Sequence, residues 1–179
     1  MPAEDVAVRA RRARWVLGAR RARELVGQEA ARFGGLGELN WCDYEESSRL
    51  TAEVRVVARD DGRVIQKWRG GVGPADLLDA ERIPAAAAGH LLLMDHAAAG
   101  WARVSLRSSL PSLVRWAQQS MTDGFTVFLA DGASSAGFDV ETGSPGERWI
   151  ETTLIGDGFG WLREMFGDGP PKETVAASR

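Results

Sequence analysis

The sequence predicts an α+β fold in which antiparallel sheet is covered by helices. Three observations predict it. Apolar residues recur at helical spacing in two long segments, alternate with period two in several short ones, and are punctuated by turn residues between neighbouring strand candidates. The chain has 179 residues, 44% of them hydrophobic and 26% charged, enough to bury a core of its own. Residues 1–167 are expected to form a single globular domain, and the polar, Gly- and Pro-containing stretch 168–179 a disordered tail.

Val8, Trp15, Ala19, Ala22, Val26, Ala30 and Phe33 lie three, four or seven residues apart and predict one face of a first helix. Glu4 and Asp5 suit its start and Gly34-Gly35 its stop. From Leu50 to Arg59 the period is two, around Ala52, Val54, Val56 and Ala58, which predicts a strand. Asp60-Asp61-Gly62 would turn it into a second strand from Arg63 to Arg69. A glycine-rich break follows at Gly70 to Gly73, then a short helix from Ala75 to Arg82. Ile83-Pro84 opens a predicted helix through GHLLLMDHAAAGW, residues 89–101, with Gly100 as its cap. Trp101 to Arg107 alternates as a strand, and Ser109 is placed to cap a helix striped by Leu110, Leu113, Val114, Ala117 and Met121. Strands are then predicted at 125–130, 137–141 and 148–155, and a last helix at 161–166.

Halves 5–82 and 109–167, joined by 83–108, share this order of elements and invite a reading as two αβββα pseudo-repeats. Gly62 and Gly146 lie 84 residues apart, as do Leu77-Leu78 and Trp161-Leu162. The order is similar to that of the double-stranded-RNA-binding fold. Gly73 to Asp76 and Gly158 to Trp161, however, lack the cations such a fold needs for phosphate, so its function is not carried over.

Composition narrows the functional classes. A single cysteine, Cys42, excludes an internal disulfide and a cysteine-rich zinc site, and a cytoplasmic location is expected. The most apolar window, residues 83–102, is broken by Pro84, His90, Asp95 and His96, so no membrane span is expected. Net charge is −3, but residues 1–32 hold eight arginines against four acids, which makes a basic arm on an acidic body.

GHLLLMDHAAAGW holds both histidines, His90 and His96. On a helix, residues six apart point about 120° apart, so the two could not share an ion. His96 would sit at the last turn, where an imidazolium suits the helix dipole. Cys42 is followed by Asp43, Glu45 and Glu46, which oppose a reactive thiolate and favour a buried structural cysteine. No catalytic residue is assigned, Cys42, His90 and His96 being the candidates for one, and no metal or cofactor is expected. Trp41, Trp68 and Trp149 are read as a cross-strand aromatic cluster.

The function expected is a small protein-binding module, in the manner of a chaperone, immunity or adaptor protein. Its binding residues are expected among Arg9, Arg11, Arg12 and Arg14 on the arm and Asp43, Tyr44, Glu45 and Glu46 on the body. The partner is another protein, a homo-oligomer is left open, and nucleic acid is disfavoured by the acidic body. Two rival readings are an enzyme with a site around Cys42, His90 and His96, and nucleic-acid binding through the arginine-rich helix.

Overall fold

A computed structural model describes residues 3–60, 66–69, 78–120, 122–142 and 148–166. In chain order the elements are α1 (Ala3–Arg32), β1 (Asn40–Trp41), α2 (Tyr44–Asp60), β2 (Gln66–Arg69), β3 (Ala88–Leu93), β4 (Ala102–Ser105), α3 (Leu106–Gln119), β5 (Gly124–Leu129), β6 (Ser135–Thr142), β7 (Arg148–Ile155) and α4 (Gly160–Phe166). The fold class is α+β. One sheet runs β1-β4-β3-β5-β6-β7-β2, and every neighbouring pair is antiparallel.

Period-two alternation gives each strand two faces, and helices cover both. Leu91, Leu93, Val104, Phe125, Val127, Ala136, Phe138, Ile150 and Leu154 join α3 and α4 in the main core. On α3, Leu110, Leu113, Val114 and Ala117 fall three or four apart and are all buried, as their spacing predicts. The opposite face is smaller. There Cys42, Leu50, Trp101 and Phe128 form a second cluster, with Val54 and Leu92 against it, so α2 lies over β3 and β5.

The structure corrects several expectations. Residues 88–93 of GHLLLMDHAAAGW form a strand, not a helix, and Ala97–Ala99 only a single 3₁₀ turn. The run Leu91-Leu92-Leu93 has no period of its own, because a strand paired on both edges and covered on both faces can be apolar throughout. Gly100 does cap that turn, at φ 79° and ψ −166°, a region essentially reserved for glycine.

Residues 50–59, read as a strand, lie in α2. Ser47, Leu50 and Val54, at i, i+3 and i+7, face the sheet, while Ala52 is exposed; the side chains of Val56 and Ala58 lie outside the described residues. The start of α2 was legible as a capping pattern. Asp43 accepts a hydrogen bond from the Glu46 amide at 2.9 Å, which satisfies one of the helix's free donors.

The αβββα order occurs once, in 106–166. Among the described residues the first half runs helix, short strand, helix, strand, 3₁₀ turn, so the pseudo-repeat reading falls. α3 starts one turn before Ser109, which is buried inside the helix and does not cap it. Trp41 and Trp68 sit on the two opposite edge strands, so the three tryptophans do not form one cluster; the side chains of Trp68 and Trp149 lie outside the described residues. The turn at Asp61-Gly62, the strand start 63–65, the loop Gly70 to Gly73, the helix start at 75–77, Met121 and the 168–179 tail lie outside the described residues.

Candidate functional site

Two features gather the polar and exposed apolar residues that packing does not account for. The first is α1. Its C-terminal half is buried through Ala19, Ala22 and Val26, with Trp15 half-buried, as the helical spacing predicts. Val8 lies on the same stripe but is exposed. The exposed large hydrophobic side chains among the described residues are Val6, Val8, Val16, Leu17 and Leu25, all on this helix. At about 100° per residue, Val6, Ala10, Ala13 and Leu17 fall within a sector of about 60°, opposite the buried stripe. Arg9 and Arg20 border that sector on one side and Arg14 and Arg21 on the other, and all four are exposed.

Arg23 fixes this helix to the body. Its guanidinium donates to the carbonyl oxygens of Ala99 at 2.9 Å and Cys42 at 2.8 Å. It also lies 5.5 Å from the Trp15 ring and 5.1 Å from the Trp41 ring, a double cation–π contact. Beside it an open groove of about 510 Å³ is lined by Arg12, Trp15, Val16, Arg20, Asp43 and Tyr44, among others.

Several of the expected binding residues are turned on one another. Arg12 pairs with Glu45 at 3.0 Å, and Tyr44 meets Trp15 edge-on with ring centres 5.5 Å apart. Asp43 caps α2, and Glu46 points inward. Arg9, Arg11 and Arg14 remain on the exposed surface.

The second feature is inside. Cys42 follows the edge strand β1, Glu46 sits on the first turn of α2 and His90 projects from β3, on the α2 side of the sheet. A thiol sulfur, a carboxylate oxygen and an imidazole nitrogen from these three lie within 4.8 Å of one another. Glu46 is the hub. It accepts both arms of Arg103, Nε at 3.0 Å and Nη2 at 2.6 Å, and lies 3.6 Å from His90 Nε2. Arg103 stands opposite His90 in the β3–β4 register, which aims its fork at the same carboxylate.

The electrostatics follow from burial. The Cys42 thiol is pushed up to about 11, first by desolvation and then by the Glu46 carboxylate. The Arg103 hydrogen bond, against desolvation, holds Glu46 below the usual carboxylate range. His90 is pushed down, chiefly by desolvation. At neutral pH the cluster therefore holds a thiol, a carboxylate and a neutral imidazole. A thiolate nucleophile there would require the sulfur to ionise beside a carboxylate in an apolar pocket.

The histidine that meets Cys42 is thus His90, not His96. His96 leaves the cluster for α1, where its Nε2 lies 3.1 Å from Glu29 Oε2, and it makes no cap to the turn that follows it. The helical angle between the two imidazoles does not apply, since one is on a strand and the other in a loop. Asp95 accepts the Asp123 amide at 2.8 Å and closes the end of β3 against β5. Arg103, Glu29 and the Val6 to Leu17 stripe were missed in sequence. The stripe could have been found from its i, i+4, i+7, i+11 spacing, whereas Arg103 and Glu29 depend on pairing across the fold.

No protein-family model, curated protein or solved structure matches this chain. No helix among the described residues is long and apolar enough to cross a membrane.

Proposed function

We propose that this protein is a protein-binding module whose docking surface is the outward face of α1, and that its partner presents an acidic amphipathic helix. The observation that carries this reading is that the exposed large hydrophobic side chains among the described residues all lie on α1, two of them, Val6 and Leu17, on one outward seam. Val6, Ala10, Ala13 and Leu17 form a seam of small and medium residues that lets a second helix approach closely. Arg20 is paired with Glu24 at 3.2 Å on the same helix, while Arg14 and Arg21 stand where flanking charges select a coiled-coil partner and call for glutamate or aspartate opposite.

A second copy of the chain is a poor occupant, because pairing the seams sets arginine near arginine. A membrane surface fits less well than a helix, since interfacial helices bury Trp, Phe or several Leu, and this seam has one Leu and no aromatic. Duplex nucleic acid would bring phosphates against an acidic body.

The test uses the full chain and a synthetic helix with Leu and Ala along its seam and Glu on both flanks, compared with the same peptide carrying Lys in place of Glu. Fluorescence anisotropy should show saturable binding of the Glu peptide only, weakened by salt and lost in Leu17→Glu. Equal binding of the two peptides would refute the reading. So would a concentration-dependent dimer in sedimentation that Leu17→Glu abolishes, or capture of phosphatidylserine vesicles or DNA in preference to the Glu peptide.

A further inference from the structure

We infer that Cys42, Glu46 and His90 form a binding site for a thiophilic divalent metal ion, with zinc the ion their donor set fits best. The three side chains supply one sulfur, one oxygen and one nitrogen donor, all within 4.8 Å of one another. Borderline ions such as Zn²⁺ take this mixture, whereas calcium and magnesium demand oxygen ligands throughout. In a tetrahedral zinc site with bonds of about 2.0–2.3 Å, donor atoms stand roughly 3.3–3.8 Å apart. Closing the cluster onto an ion therefore requires shifts of about 1 Å, which the first turn of α2 and its side chains can make.

A second observation points the same way. A neutral imidazole has one N–H and one lone pair, and an ionised Glu46 can only accept hydrogen bonds. The His90 proton therefore faces Glu46 if it sits on Nε2, and Nδ1 is buried with no hydrogen-bond partner among the described residues. In the other tautomer the lone pair is on Nε2, facing a carboxylate that cannot donate to it. Nδ1 is thus the ring atom left unmet, in a buried setting where that is costly. With the proton on Nδ1, the Nε2 lone pair faces the cluster, where a metal ion can take it up.

The surroundings suit such a site. Leu50, Trp101 and Phe128 pack around Cys42 and keep the sulfur dry. Arg103, 64% exposed at its side chain, holds Glu46 from the solvent side, as the outer partners of ligating carboxylates commonly do. Arg49, Asp43 and Arg23 are further charges that act on these three side chains. Binding exchanges the Cys42 thiol proton for a sulfur–metal bond and releases that proton to solvent. Three protein ligands from β1's end, α2 and β3 would clamp the helix to the sheet and leave the fourth position for water or an added ligand.

The test uses the untagged full chain, reduced and freed of metal with a chelator. Titration with Co²⁺ should give one ion per chain, an intense visible spectrum of tetrahedral cobalt and a near-ultraviolet thiolate-to-metal band. Zn²⁺ should displace it and raise Tm. Cys42→Ser should lose the thiolate band, and His90→Gln should bind Zn²⁺ at least about tenfold more weakly, with His96→Gln unchanged. Absence of the thiolate band in the unmutated chain, or equal zinc affinity in Cys42→Ser with an unchanged far-ultraviolet circular dichroism spectrum, would overturn the site. The spectrum of the unmutated chain decides the question even if a variant fails to fold.

Discussion

Arg23 donates from Nη2 to the Cys42 carbonyl at 2.8 Å, across 19 residues of sequence. Through this bond the helix that carries the exposed apolar seam is tied to the residue that supplies sulfur to the inner cluster. The same guanidinium reaches Ala99 in the turn after β3, so one side chain fastens α1 to two loops on the body. His96 and Glu29 add a tie one to two turns further along the same helix. The seam faces away from all of these contacts, and its exposure is compatible with a rigidly mounted helix.

Arg23→Lys is expected to destabilise the protein although it keeps the charge. An ammonium cannot reproduce a planar fork bonded to two carbonyls and placed against two indole rings. Loss of one charge-assisted hydrogen bond and part of the ring contact should cost about 1–3 kcal/mol. Chemical denaturation of the two proteins checks this, and hydrogen exchange should rise first in α1.

The fold class was legible because α1, α3 and the β5-β6-β7 meander each carry one undisturbed period. The helix α2 and strand β3 were exchanged in kind for opposite reasons. In α2, alternating small apolar residues mimicked a strand, while the capping pair Asp43 and Glu46 carried the decisive local signal. In β3 the strand is covered on both faces, so its apolar run lost the period that would have declared it. The cluster itself was only half visible. Cys42 and Glu46 are four apart and become neighbours on entering a helix, but the choice of His90 over His96 depends on sheet register, which no local pattern encodes.

Gly100→Ala should be strongly destabilising. The backbone there, φ 79° and ψ −166°, is one that residues with a Cβ avoid at a cost of about 1–3 kcal/mol. An added Cβ would also stand 2.8 Å from Ser47 Oγ and 2.8 Å from Trp15 Cζ2, so α1 or α2 would have to shift. Thermal denaturation reads the cost, and it should exceed that of Gly27→Ala, where nothing lies within 4 Å of the added carbon.

The metal-free chain should lose stability on acidification. His90 is held below its ordinary 6.5, so as pH falls past that value the unfolded chain takes up a proton that the folded chain refuses. Glu46 is also depressed, below 4.5, and its contribution is present above that pH and lost as pH falls through the folded value. Denaturation midpoints measured in chelator between pH 7 and 4 should therefore decline, and His90→Gln should flatten the upper part of that decline. An unchanged slope in His90→Gln would count against a neutral buried imidazole.

Cys42 should behave as an inert thiol in the folded, metal-free protein. Only the thiolate attacks iodoacetamide, and burial beside Glu46 raises this thiol from its ordinary 9.0 to about 11, so at pH 7.5 the reactive fraction is far smaller than for a free cysteine. Burial adds a steric barrier, since the residue is 3% exposed. Alkylation followed by mass spectrometry should be slow in buffer, fast in denaturant, and accelerated in Glu46→Gln, which removes the repelling charge. The same shift sets the alkaline limit of stability. A raised thiol contributes fully below its unfolded value, and that contribution is lost as pH rises through the interval from about 9 to about 11. Cys42→Ser should remove this alkaline step, and fast alkylation of the folded protein at pH 7.5 would instead favour an enzyme site around Cys42, with His90 as the histidine beside it.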